Sequence, residues 1–271
     1  MTQNIGVVYA SLYKRILSAY ALWSVAMEEV ARTEQEEIGG EDWERSFYFD
    51  HEKNPLEKVI TRIFDRLVHT ASRRFGVGGR PLQLPDDELR DEFVAKDHVD
   101  HFDPAALWGA LVARYQGENG ERTAFVQAAR EIAREFRAEH GTKLAQVSGR
   151  VALSCDMYGD TCRFTKRYDL SVSSIMGLQK LVMALCVFAA WADDADLQHG
   201  LGRFVHSHCH YAVPLVPRAK IMVSETLHIV TFQKRFEFRF MPMTVEQLQL
   251  FLAEFGTADK AVPQVGQVGS S

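Results

Sequence analysis

The sequence predicts an α+β fold, with a mainly helical first half (1–140) followed by an antiparallel sheet packed with helices (141–256). Three observations carry this. Before Gly141, apolar residues recur every three or four positions, the period of a helix with one buried stripe. After it the rhythm becomes alternation, the period of a strand. In "RFEFRFM", Phe236, Phe238 and Phe240 share one face while Glu237 and Arg239 point to the other.

The first element is a long helix with Val8, Leu12, Ile16, Tyr20, Trp23 and Met27 as its inner face. It runs into an acidic stretch from Glu28 to Arg45, broken by Gly39-Gly40. A second helix starts at Asn54, a capping residue, with Pro55 at the first position and Glu57 in its first turn. Val59, Ile63, Leu67 and Ala71 are its apolar stripe, and it stops near Gly76. "GVGGRPLQLPDDE" is a loop by composition. Asp103-Pro104 opens a third helix with Leu107, Trp108 and Leu111, and a fourth covers roughly 121–139.

Beyond Gly141, "QVSGRVALSCDM" and "TCRFTKRY" alternate as strands around a "YGD" hairpin turn. An apolar helix over about 173–192 follows. The two polar residues in it, Gln179 and Lys180, argue for a buried helix over a membrane span. "AKIMVS", "TLHIVTFQ" and "RFEFRFM" then form three antiparallel strands. Thr244 is expected to cap a last helix with Leu248, Phe251, Leu252 and Phe255. Residues 257–271 carry no core-forming pattern and are expected to be a disordered tail.

Net charge is −5, so no global basic field draws the chain to nucleic acid. The start, "MTQNIGVVYASLYKRILSAY", lacks the layout of a signal peptide, and four cysteines do not make a secreted disulfide framework. A reduced, cytoplasmic protein with no membrane contact is expected.

The order of elements resembles a family of conjugative plasmids and integrative elements, domain of unknown function 4942. "NPLEKVITRIFDRLVHTAS", "AAREIAREFRAEHGTKLAQVSGRVAL" and "IVTFQKRFEFRFMPMTVEQLQLFLAEF" carry the likeness, over residues 50 to 255. Lys234-Arg235 stands where the family more usually has a glycine. The family has no settled catalytic residues to carry over. The resemblance implies a setting in mobile DNA, with roles in transfer, maintenance or countering host defence.

Four clusters carry candidate chemistry. In "RFVHSHCHYAV", His206 and His210 share a face whether the segment is strand or helix, a spacing that suits two zinc ligands. With Cys155 and Cys162 on one face of the predicted hairpin, directly opposite if the loop is Tyr158-Gly159 and diagonal if it is Gly159-Asp160, they would complete a Cys2His2 set. Buried, inert thiols are the simpler account, so no cofactor is expected, with zinc as the alternative. "KDHVDHFDP" gathers His98 and His101 among carboxylates, with Asp103 serving as a helix cap. Arg203, Arg218, Lys220, Lys234 and Arg235 form a basic set, with Lys234-Arg235 at a hairpin tip that can reach phosphates. Glu34, Glu36, Glu37, Glu41 and Asp42 offer a docking surface for a basic partner.

There is no phosphate-binding glycine loop, dinucleotide fingerprint or nucleophile elbow. The leading expectation is a non-enzymatic accessory protein that binds DNA, or a complex that handles DNA or host defence. A metal-dependent hydrolase or nuclease using the His/Cys residues is the first alternative. A structural protein that self-associates through its first helix is the second.

Overall fold

The computed structural model describes residues 4–37, 55–94, 102–137, 145–161, 168–209 and 216–256. The predicted tail, the acidic segment past Glu37 and "KDHVDH" lie outside these residues. The fold is α+β, helices first and then a five-stranded antiparallel sheet with further helices. The chain divides into two compact units, Met1–Arg74 with Gln83–Gln116, and Phe75–Leu82 with Gly117–Ser271.

The first unit holds α1 (Ile5–Glu37), α2 (Pro55–Arg74), α3 (Asp86–Phe93) and α4 (Pro104–Tyr115). In α2, Ile60, Ile63, Phe64, Leu67, Val68 and Ala71 are buried, the predicted stripe and its immediate neighbours. Glu57 in the first turn and Arg73 and Arg74 in the last complement the helix dipole. Asp103 caps α4 as predicted, accepting from the Ala105 N–H at 2.8 Å. The segment predicted as loop, 76–88, runs into the first turn of α3, a helix with no counterpart in the sequence pattern. Its acidic first turn favours a helix start, and its single buried residue, Leu89, is too little for a periodic signal.

The expected inner face of α1 is not the buried one. Tyr13 is buried and meets Phe102 edge-on at 5.6 Å, while Val8, Leu12 and Trp23 are exposed. Gly6 explains the choice: a Cβ there would lie 2.6 Å from the Cβ of Trp108, so the backbone of α1 can approach α4 only at this residue type.

In the second unit, α5 (Glu118–Glu135), α6 (Val172–Trp191), α7 (Ala195–His208) and α8 (Pro242–Phe255) surround the sheet core. α5, which the sequence groups with the first half, packs on α6 and α8 through Ala124, Ala128, Ala129 and Phe125. α6 is long and apolar enough to cross a bilayer by length and composition, yet most of it is buried inside the unit. Its polar Gln179 donates to the Cys209 carbonyl at 2.7 Å, securing the end of α7. Met241 caps α8 and Pro242 opens it, so Thr244 is not the cap but a buried residue of the first turn.

The sheet runs β1-β2-β7-β6-β5, every neighbour antiparallel, from β1 (Ala145–Val147), β2 (Arg150–Asp156), β5 (Lys220–Met222), β6 (Leu227–Thr231) and β7 (Arg235–Phe240). The last three are the predicted strands. "QVSGRVALSCDM" is a hairpin of its own, turning at Ser148-Gly149, where both residues have positive φ. β3 (Gly159–Thr161) pairs with β4 (Tyr168–Leu170) in a separate two-stranded sheet. Among the described residues the predicted β2 to β3 hairpin does not form, and most of its second strand, 162–167, lies outside them. β2 has β1 on one side and β7 on the other, and Cys155 pairs with Phe236 rather than Cys162, which lies outside the described residues.

Candidate nucleic-acid interface

The pleat gives the sheet two unlike faces. One carries Val151, Leu153, Cys155, Leu227, Ile229, Phe236, Phe238 and Phe240, all buried; Phe136 at the end of α5 meets Phe238 edge-on at 5.4 Å. The strand registers put a different set together on the other face. Ala152 pairs with Arg239, Ser154 with Glu237 and Asp156 with Arg235; His228 pairs with Arg239, and Lys220 with Val230. Arg150 joins this face at the start of β2. Its guanidinium donates to the Glu225 carbonyl at 2.7 Å and reaches the Arg239 carbonyl at 3.5 Å.

On these strands Arg150, Lys220, Arg235 and Arg239 stand against two carboxylates, Asp156 and Glu237. Glu237 lies between Arg235 and Arg239, at 3.0 and 2.8 Å. Burial alone would raise its pKa, but the hydrogen bonds from Arg239 and Arg235 outweigh that and hold it below its usual range. Asp156 is paired with Arg137. His228 has its pKa lowered, first by desolvation and then by the nearby Arg150, Lys220 and Arg239. His228 and Glu237 expose under a tenth of their surface, with cationic side chains beside them: Arg235 and Arg239 on Glu237, and Arg150, Lys220 and Arg239 near His228.

Four of the predicted basic residues meet at one corner of this sheet. Lys234, exposed, and Arg235 occupy the β6–β7 turn, with the Arg235 guanidinium over the Phe232 ring at 4.8 Å. Arg218, exposed and with φ of 66°, donates its N–H to the Thr231 carbonyl at 2.6 Å, which ties it to the same end of β6. Lys220 follows on edge strand β5. The Met157 N–H donates to the Lys234 carbonyl, and Tyr158, the next residue, is 65% exposed. Arg150 and His228 escaped the sequence reading. Only the β2–β7 and β6–β7 registers align them with Arg239, and no local pattern encodes a register between distant strands.

Arg203 is placed apart from that corner, on α7. There it lines a groove of about 710 Å³ with His199 and His206, all on one side of the helix, facing Gly78-Gly79 and Cys186. Gly78 has φ of 62°, and a Cβ on it would lie 2.7 Å from the Cys186 carbonyl oxygen. "RFVHSHC" is thus the C-terminal half of a helix, with Cys209 as its cap residue. His208 stacks on Phe204 at 4.8 Å, and its Nδ1 is buried without a hydrogen-bond partner among the described residues.

His210 and Cys162 lie outside the described residues, and among the described residues no three His, Cys, Asp or Glu gather as a metal would require. Burial pushes the Cys155 thiol up to about 12, Cys209 to about 12 and Cys186 to about 11, so none is a thiolate nucleophile near neutral pH. Of the acidic docking set, Glu36 is exposed and 3.8 Å from Arg32. Glu34 and Glu37 belong to the last turns of α1, and Glu41 and Asp42 are outside the described residues.

No family model matches the chain, and neither a curated protein nor a solved structure is significantly similar to it.

Proposed function

We propose that this protein is a non-enzymatic accessory protein that binds nucleic acid through the polar face of its five-stranded sheet. The observation that carries the reading is one polar face that holds Arg150 on β2, Arg239 and Arg235 on β7 and Lys220 on β5, with β6 between the last two strands. Four strands at about 4.8 Å spacing span roughly 14 Å, a track suited to an extended polyanion rather than one small anion. Lys234 and Arg218 lengthen that track at the turn, where phosphates fix register and orientation. The exposed Tyr158 and the Arg235-covered Phe232 supply ring faces beside it, the combination that single strands favour. The resemblance to proteins of conjugative elements suggests handling of transferred DNA as the setting.

The test is binding of a labelled single-stranded oligonucleotide across a sodium chloride titration, for the wild type and for Lys220→Glu with Lys234→Glu. The double reversal is expected to weaken binding by at least tenfold and to flatten the salt slope by about 0.7 for each phosphate no longer neutralised. An affinity and slope equal to the wild type's would sink the assignment, as would no binding at low salt. A duplex bound as well as the single strand would move the reading from ring stacking to backbone recognition alone.

A further inference from the structure

α1 carries a second apolar stripe that is not the one facing α4. Leu12, Ile16, Ala19, Trp23, Ala26 and Val30 follow one another at intervals of four, three, four, three and four. That 3.5-residue repeat is the pattern by which one helix packs along another. At 100° per residue this stripe lies about 120° around the helix from the buried Gly6 and Tyr13. Leu12 (43%), Trp23 (44%) and Val30 (38%) are exposed, and Ile16 is half-buried. Among the described residues from Ala21 to Glu36, none of α1 is buried, so this half of a 33-residue helix keeps its apolar side chains open to solvent.

We infer that two copies of this chain associate through α1 as an antiparallel helix pair. Three features choose this occupant and orientation. With the two-fold axis at Ala21, Leu12 meets Val30 of the second copy, Ile16 meets Ala26, and Ala19 meets Trp23. Each layer then joins a larger side chain to a smaller one, which fills the seam evenly. A parallel pair in register would set Trp23 on Trp23 and alanine on alanine, alternating crowding with voids. Charge agrees: Arg15 and Glu29, both exposed and beside the seam, come opposite each other in the antiparallel pair, twice by symmetry. Among the described residues, Glu29 is held within one chain by an exposed ion pair to Arg32 at 3.7 Å, which exchange with Arg15 would replace at little cost. Leu22, 75% exposed on a single chain, meets Leu22 of the second copy at the axis. The seam from Leu12 to Val30 is about 27 Å long, at about 1.5 Å per residue.

Sedimentation equilibrium of the full chain at about 100 μM, which captures a dimer of micromolar affinity, should give twice the 30.7 kDa of one chain. Trp23→Glu should give the single-chain mass with an unchanged circular dichroism spectrum. The charge reversals Arg15→Glu and Glu29→Arg alter only exposed side chains and keep the test independent of folding. Each should weaken the dimer by about tenfold, and the two in one chain should restore it. Leu22→Cys should form a disulfide-linked dimer on mild oxidation that the wild type does not. A single-chain mass for the wild type would overturn the inference. So would a dimer indifferent to Trp23→Glu, or a double reversal weaker than either single one.

Discussion

α1 and α6 are both long helices rich in apolar residues, and they meet opposite fates. α6 buries Leu178, Leu181, Val182, Leu185, Val187 and Phe188 almost completely, because α5 and α7 pack on it. α1 exposes Val7, Val8, Leu12, Leu22, Trp23, Val25 and Val30. Composition separates them in part, since α6 holds a single charged residue, Lys180, and α1 holds eight. What also differs is how they are surrounded: α6 is packed by helices on more than one side, whereas α1 is seated on α4 along its first half. An apolar helix reports that something covers it, and only the packing says whether that cover is the same chain.

The largest expected effect lies on the buried side of this contrast. Leu185→Ala in α6 should cost about 3 kcal/mol in urea unfolding, as deletions of fully buried leucines do. Gly200→Ala comes next. A methyl carbon there would sit 2.0 Å from the Val223 carbonyl oxygen, so α7 would have to lift off the β5 end of the sheet. A loss of about 2 kcal/mol is expected, read by the same unfolding curves. An unchanged midpoint would mean that α7 is not held there, and that α6 owes its cover to something else.

His228 sits between these extremes, hidden from solvent but close to three cations. Its folded pKa lies below the ordinary histidine value, so as pH falls through about 6.5 the unfolded chain takes up a proton that the folded chain resists. Above that pH the group contributes nothing; below it, stability declines until the folded pKa is passed. His228→Gln should flatten this part of the stability profile, measured between pH 5 and 8. A phosphate beside His228 would favour its charged form, so oligonucleotide affinity should rise over the same descent, and less so in His228→Gln. The smallest effect belongs to α1, where Val25→Gln should change stability by no more than about 0.5 kcal/mol. A loss as large as that of Leu185→Ala would erase the distinction between the two helices.

Where a signal was local, the sequence carried it. Asp103 and Pro104 mark a helix start through chemistry confined to a few residues, and the Phe236, Phe238, Phe240 alternation marks a strand in the same way. Among the described residues the β2–β3 hairpin gives way to another pairing: Gly159–Thr161 lies against Tyr168–Leu170, so Tyr158-Gly159 does not turn that segment back onto β2. β7, some eighty residues away, is the better partner for Cys155 and its neighbours. The inner face of α1 was misread because its apolar residues make more than one stripe, and Gly6, invisible to a hydrophobic pattern, decides which one faces α4. The candidate interface was half legible on the same grounds. Lys220, Lys234 and Arg235 follow from nearby strands, whereas Arg150 and His228 join them only through registers.

The two outer strands of the main sheet, β1 and β5, are each three residues long, and β5 presents Lys220 on its rim. Rims this short, one of them charged, offer a poor template for strands of another molecule. The sheet therefore ends where it stands and resists growth into fibrils, even though its central strands include the aromatic, β-prone run from Phe236 to Phe240.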